Sequence, residues 1–497
     1  MQNRFASKKG PIELEKKMNN HSVEKIGGTS MSDYAAVRDN IIFRPSQADT
    51  LYRRIFVVSA YSGITDRLLE HKKSGHPGVF ALFASSNDDE SWLKALYETR
   101  QQMFDINASL FDEEDSLKEA NKFVQERFDE AKQCLDNLKH LCRHGHFELA
   151  SQLDTVREML ASLGESHSAW NTAKLLQREG INAVFIDLSG WNSPKHLPLD
   201  DHITQAFEDI DLEKVLPIVT GYAHSENGLM TTFDRGYSEM TFSRITVLTK
   251  AQEAVIHKEF HLSSADPNLV GEFNSVPIGR TNYDVADQLA NLGMEAIHPK
   301  AARGLRQNSI PLRVKNTFEP EHSGTLITGE YISEQPCVEI IAGSKNIYAL
   351  TLFDQEMSGD IDLYDREILK TIRRFRGSIV SKDINANTIT HYLRTNLKTI
   401  KRIRAELEKT FPGASLDQQE VAIVSAIGSD MQIAGLLAQA VAALADAGIN
   451  IVAMHQTIRQ IDMQFVIDET DYDEAVRSLH AHLVEVHNHG RAIRLAN

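Results

Sequence analysis

Six short apolar runs recur between residues 22 and 316: VEKI, RIFVVSA, NAVFID, LPIVTG, EAVIHKEF and PLRVKN. Amphipathic segments with helical spacing separate several of them. Strands that alternate with helices cannot close as hairpins, so this order predicts βαβ units and a parallel-rich sheet covered by helices. The stretch from about residue 91 to 163 is charged, helical in period and almost free of Gly and Pro, and reads as helices inserted beside the sheet. Residues 1–21 are polar and read as a loose N-terminal extension, with the sheet-bearing domain over 22–330.

Loop residues gather at 323–335, where a domain boundary is placed. Beyond it lie two short units in β-α-β-β-α style, predicted over 336–412 and 419–490 and linked by FPGASLDQQ. Their repeated order suggests an internal duplication. A chain of 497 residues accommodates this number of domains.

The first run ends unusually. Lys25 lies at the end of VEKI, directly before Gly27, Gly28 and Ser30 in GGTS. Burying an ammonium is costly unless it faces an anion, and adjacent glycines let backbone N–H groups approach one. A helix start just beyond would add its positive end. The lysine precedes the glycines, so this is not a P-loop. A strand-turn-helix with an exposed lysine is the competing reading.

Four further stretches carry polar chemistry. VVSAYSGITDRLL places Ser59 and Thr65 just after an apolar strand, where ligand crevices open in α/β sheets, or else forms a helix-capping turn. LASLGESHSAWNTAKLL sets Glu165 beside a glycine, read as a break in helical text. TTFDRGYSEMTFSRI groups Arg235, Ser238 and Glu239; a guanidinium can clamp a carboxylate while a carboxylate pairs an ammonium, the recognition an amino acid needs. An exposed salt-bridged turn is the rival. IHKEFHLSSADPNLV carries His257, Lys258, Ser263 and Asp266. His257 and His261 lack a third ligand in a strand-and-loop segment, so no metal site is assigned.

Bulk properties narrow the class. With 53 basic and 69 acidic residues the net charge is −16, which argues against a nucleic-acid partner and requires any anion site to be locally basic. Three cysteines without CxxC spacing fit a reduced, cytoplasmic protein. Neither a signal peptide nor a membrane span is read; AGLLAQAVAALADAGINIVAM is interrupted by Gln439, Asp446 and Asn450 and reads as helix, Gly448 cap, then strand.

Taken in order, KxGGTS, VVSAxSGxTDxLL, GExxS, the RGxSE group, ADPxxV, HPKA and VKNTFxPExxGT resemble the aspartate kinases over residues 22–330. The tail, with GSKNIYALTLF and VAIVSAIGSDMQIAGLLAQAVAALADAGINIVAMHQT, resembles that family's paired ACT domains. The resemblance implies an α/β amino-acid kinase fold followed by two α+β ACT-like units. It implies phosphorylation of the β-carboxylate of L-aspartate by ATP, with Mg²⁺ on the phosphates, giving 4-phospho-L-aspartate. It assigns Lys25, Gly27, Gly28 and Ser30 to the phosphate region, and His257, Lys258, Ser263 and Asp266 to the nucleotide. Ser59, Thr65, Glu165, Arg235, Ser238 and Glu239 fall to the aspartate side, with Lys25 and Arg235 as the catalytic pair.

The departures are specific. The family's GRGGSD is DRGYSE here, and its Thr-Asp pair, Tyr and Arg in the nucleotide stretch are His257-Lys258, Ser263 and Asn268. Glu295 stands where a lysine is usual. This pattern is similar to the divergent aspartate kinases associated with ectoine biosynthesis. ACT domains imply self-association into a homodimer or larger, and the altered first unit implies weak or absent inhibition by lysine and threonine. The competing readings are a kinase for a related acidic amino acid and a catalytically impaired amino-acid sensor.

Overall fold

The computed structural model describes residues 20–43, 51–71, 74–85, 90–144, 146–191, 197–233, 236–294, 296–486 and 493. The catalytic part is built on eight strands: β1 (Ser22–Ile26), β2 (Arg54–Val58), β3 (Ala183–Ile186), β4 (Leu216–Thr220), β5 (Glu253–Lys258), β6 (Arg280–Asn282), β7 (Leu312–Asn316) and β8 (Thr325–Thr328). They are ordered β3-β4-β2-β1-β5-β7-β8-β6. All neighbours run parallel except β7 and β8. Six of these strands are the six apolar runs; β6 and β8 are too short to have shown a pattern.

β1 is the switch point of the sheet. The chain leaves it toward β2 on one side and returns to β5 on the other, so a crevice opens at its carboxyl end. Every residue of β2 and β4 is buried, as strands covered on both faces must be.

The expected helical insert is present as helices Glu90–Leu110 and Glu114–Cys142, but its limit near residue 163 falls inside a third helix, Leu153–Arg178. That helix runs without interruption through Gly164 and Glu165, so the predicted break is corrected. Glycine serves close approach instead: a Cβ at Gly164 would stand 2.8 Å from the Ala60 Cβ and 3.1 Å from the Ile64 Cγ2. The helix therefore presses onto the loop after β2, and its residues from Leu160 to Ala173 are all buried.

The second domain is one six-stranded sheet, β10-β11-β9-β12-β14-β13, with every neighbouring pair antiparallel. Its strands are β9 (Ile340–Phe353), β10 (Ser378–Asn385), β11 (Thr388–Arg394), β12 (Ser415–Ile427), β13 (Ile451–Gln456) and β14 (Asp462–Asp468). The tandem division at 412 and 419 does not survive. The two runs read as separate strands before residue 353 form one strand, β9, and the supposed linker already belongs to β12 from Ser415 onward. β9 and β12 pair from Ser415↔Phe353 to Ile427↔Ile340. Residues 347–353 of β9 also pair β11, while residues 421–427 of β12 pair β14. Each unit thus borrows half of both long strands, and the first is inserted into the second. A helix over Leu397–Thr410, unassigned from sequence, completes the first unit.

Glu339 ties the two domains together. Its Oε2 accepts from the Thr281 hydroxyl at 3.0 Å, and its Oε1 accepts from the amide and hydroxyl of Ser429 after β12. The side chain is fully buried, which pushes its carboxyl above the usual range against those hydrogen bonds. Among the described residues no helix is long and apolar enough to cross a membrane.

Candidate active site

Consecutive strand residues point to opposite faces, and β1 divides its charges this way. On one face Glu24 accepts from Arg54 at 2.7 and 3.0 Å and meets His257 Nε2 at 2.7 Å. Arg54 also donates to the carbonyls of Ile41 and Ile42. All three side chains are buried, so the network is a satisfied structural clamp. His257 therefore belongs beneath the sheet and not to a nucleotide surface, a correction to its sequence assignment.

On the other face the Lys25 ammonium stands 3.5 Å from Glu239 Oε1, with side chains 10% and 14% exposed. Glu239 occupies the first turn of helix Tyr237–Leu248, where a carboxylate complements the helix dipole. Its second oxygen accepts from the backbone N–H of His298. Burial acts to raise this carboxyl, but Lys25, Lys258 and that amide outweigh it and hold the group below its ordinary range.

Glu165 completes the cluster. Its Oε1 accepts from the Ser238 hydroxyl at 2.8 Å, while its Oε2 is buried without a hydrogen-bond partner among the described residues. Burial pushes the carboxyl up to about 8, opposed by Ser238, Lys25, Tyr237 and the Ala60 amide. One acidic group is thus held charged, chiefly by Lys25, while burial raises the other. Such pairs mark acid sites with distinct roles.

The glycine pair serves packing between loops. A Cβ at Gly28 would lie 2.7 Å from the Ala60 carbonyl, so the loops after β1 and β2 touch only because that residue is glycine. The Gly27 N–H, however, donates to the His257 carbonyl at 3.1 Å and is unavailable to an anion. The helix beyond is only Gly28–Met31, so its dipole is small and its first-turn amides are what it offers. Ser30 is buried with its hydroxyl 2.9 Å from Thr317 Oγ1, and so joins the β1 loop to the β7 loop.

Ser59 follows β2, half-buried, and its carbonyl accepts from Ser168 on the Glu165 helix; Thr65, also half-buried, lies in the next helix, Ile64–Leu68. Lys258 ends β5 close enough to act on Glu239. Ser263 and Asp266 lie in the loop after β5. Asp266 is exposed and caps Pro267–Val270 by accepting from Asn268, while neighbouring Ser264 meets His480 of the second domain at 2.9 Å. The Ser264 contact sets this loop against the second domain. Arg235 and Glu295 lie outside the described residues.

His298 and Glu158 were not singled out from sequence. His298 precedes Pro299, and its ring Nδ1 accepts from Lys300 N as a helix cap. The HPKA motif carried that signal. Glu158 accepts from Tyr222 and from the Thr231 amide, and so anchors the segment leading to residue 233. Nothing local in its helical surroundings distinguishes it.

A lysine at the switch point of the parallel strands, two buried carboxylates beside it and a hydroxyl bonded to one of them are a charged, enclosed site of the kind a phosphotransferase uses. The amino acid kinase family model matches residues 21–316, and an ACT domain model matches residues 424–483. The chain is 53% identical to aspartate kinase Ask_Ect of Stutzerimonas stutzeri (strain A1501), over 96% of this chain and all of that one. It is 25% identical to the aspartokinase of Candida albicans, over 93% and 90% of the two chains. The crystal structure of E. coli aspartokinase III in complex with aspartate and ADP superposes with a TM-score of 0.70 at 21% identity, covering 93% of this chain and all of that one. The chain belongs to the amino acid kinase family, on its aspartate kinase branch.

Proposed function

We propose that this protein transfers the γ-phosphoryl group of ATP to the β-carboxylate of L-aspartate, releasing ADP and 4-phospho-L-aspartate. The observation that carries the reading is the unpartnered, buried Oε2 of Glu165 beside Lys25 and Ser238. A substrate ammonium satisfies that oxygen, and its charge draws the Glu165 proton off. Arg235 is assigned to the α-carboxylate on the sequence resemblance, with Ser59 and Thr65 lining the acceptor pocket.

Lys25 then has the central role. The reaction brings a carboxylate and a triphosphate together, so positive charge held in place lowers the barrier. Glu239 holds the ammonium in place, while Lys258 adds a second cation. The donor set suits phosphate oxygens. Among the described residues no group of three or more His, Cys, Asp or Glu could hold a metal ion, so Mg²⁺ would arrive on the nucleotide and supply charge neutralisation there.

The departures in the nucleotide stretch favour the ectoine-linked subgroup, as a cytoplasmic source of the activated acid. Self-association into a homodimer or larger is part of this reading. The edge strand β13 exposes Val452 and Met454, with Ile458 beyond it, and unpaired edges with apolar side chains seek a partner. Weak or absent inhibition by lysine and threonine completes it.

A hydroxamate assay with L-aspartate and ATP tests the activity. Acyl-phosphate formation with L-aspartate supports it. Formation with glutamate or N-acetylglutamate alone favours a related acceptor, and ATP binding without turnover of any acid favours the sensor. Sedimentation as a monomer would remove the assembly claim.

A further inference from the structure

The helix that carries Glu165 is polar where a core helix is ordinarily apolar. Ser166, His167, Ser168, Asn171 and Thr172 are all buried, directly after the acid. Ser168 and Thr172 donate to nearby carbonyls, but His167 and Asn171 reach toward the inserted helices. There Asn107 Oδ1, on helix Glu90–Leu110, accepts from Asn171 Nδ2 at 2.8 Å and lies 2.6 Å from His167 Nε2. Asn107 Nδ2 donates to Asn121 on the next helix at 3.0 Å, so its oxygen faces His167 and the ring donates through Nε2. Burial lowers the His167 imidazole to about 3, which keeps the ring neutral. Tyr61, in the loop after β2, meets that ring edge-on at 5.3 Å between centroids and receives Asn171 Nδ2 at 3.4 Å. One polar seam thus joins both inserted helices, the Glu165 helix and a loop of the active site.

The seam is placed to control rotation. Residues two apart in an α-helix point about 200° from one another, so Glu165 and His167 face opposite sides. Glu165 turns to Ser238 and His167 to Asn107. An apolar seam of the same shape would leave no group unsatisfied, whereas here His167 Nδ1 and Asn171 Oδ1 are buried without hydrogen-bond partners among the described residues. The polar seam therefore costs stability, and what it gives in return is a single rotational setting.

We propose that His167, held by Asn107 and Asn171, is a positioning residue that fixes the roll of this helix and so aims Glu165 at the substrate ammonium. The inference rests on Glu165 as the ammonium-binding group. It also gives the helical insert a role in the reaction, as the outer bracket of the acceptor site.

Steady-state kinetics and calorimetry with L-aspartate test this in full-length His167→Leu, His167→Gln and Asn107→Ala. His167→Leu should raise the KM for L-aspartate about tenfold or more and that for ATP less than about twofold, because only the acceptor depends on Glu165. In His167→Gln an amide nitrogen replaces Nε2 as the donor to Asn107, and the KM should return to within about threefold of wild type. Asn107→Ala is remote from the catalytic cluster and should raise the same KM; it carries the test if His167→Leu does not fold. The Kd for L-aspartate should follow the KM. Wild type that binds L-aspartate without phosphorylating it would overturn the proposed reaction and leave this comparison intact. Unchanged L-aspartate affinity in the folded variants would overturn the positioning role, as would equal rises in both KM values without rescue by glutamine.

Discussion

Glu24 and Lys25 are adjacent in one strand and serve opposite sides of it. Glu24 closes a buried clamp with Arg54 and His257, and Lys25 faces Glu239 at 3.5 Å in the crevice. The clamp fixes the height of β1 between β2 and β5, and with it the position of the lysine.

Replacing Lys25 by alanine is expected to cut turnover about a hundredfold or more, on the order of 3 kcal/mol of transition-state stabilisation. It should also raise the carboxyl groups of Glu239 and Glu165, which both feel its charge. Steady-state kinetics on a variant with wild-type circular dichroism checks this. Turnover close to wild type would remove Lys25 from the mechanism.

The raised carboxyl of Glu165 makes two pH predictions. Ionised Glu165 is needed for the substrate ammonium, so kcat/KM for aspartate should rise with pH, reach half its maximum near about 8 and level off above it. The folded state binds the proton more tightly than the unfolded state, whose carboxyl keeps the ordinary 4.5. Stability from this group is therefore full below about 4.5 and is lost as pH climbs toward about 8. Glu165→Gln should flatten both profiles while weakening aspartate binding. A wild-type kcat/KM limb that persists in Glu165→Gln would assign the titration to another group.

Breaking the clamp should affect stability and spare nucleotide binding. Glu24→Ala leaves the buried Arg54 without its carboxylate, at a cost of about 3–5 kcal/mol. Thermal melts should show the loss, and the KM for ATP at a permissive temperature should stay near wild type. A large rise in that KM with little change in melting would return His257 and its partners to the nucleotide site.

The shared long strands predict how the second domain can be cut. A fragment of residues 336–412 ends before β12 and leaves half of β9 unpaired, so it should not fold; residues 336–486 retain every strand of the sheet. Dispersed amide resonances from the longer fragment alone would agree. A folded 336–412 fragment would restore the tandem arrangement.

The catalytic strands were readable because burial on both faces makes them continuous apolar runs, and the helices between them leave few topologies. Glu165 was readable as a functional residue but not as a helical one. Its neighbouring glycine looked like a break, and only the proximity of Ala60 explains it as a contact. His257 shows the converse error. It sits in a motif position tied to nucleotide binding, yet its partner Glu24 is 233 residues away and invisible to local reasoning.

By itself the sequence determined the class of fold, the succession of the six main catalytic strands along the chain, the lysine before the glycine pair and the family, since each depends on local pattern or on motifs in series. Tertiary structure alone decided which neighbour of Lys25 it pairs with, which histidine is structural and how the two ACT-like units interleave. Those outcomes rest on contacts between residues distant in the chain. There, burial and hydrogen bonding set whether a charge is held, neutralised or left waiting for a ligand.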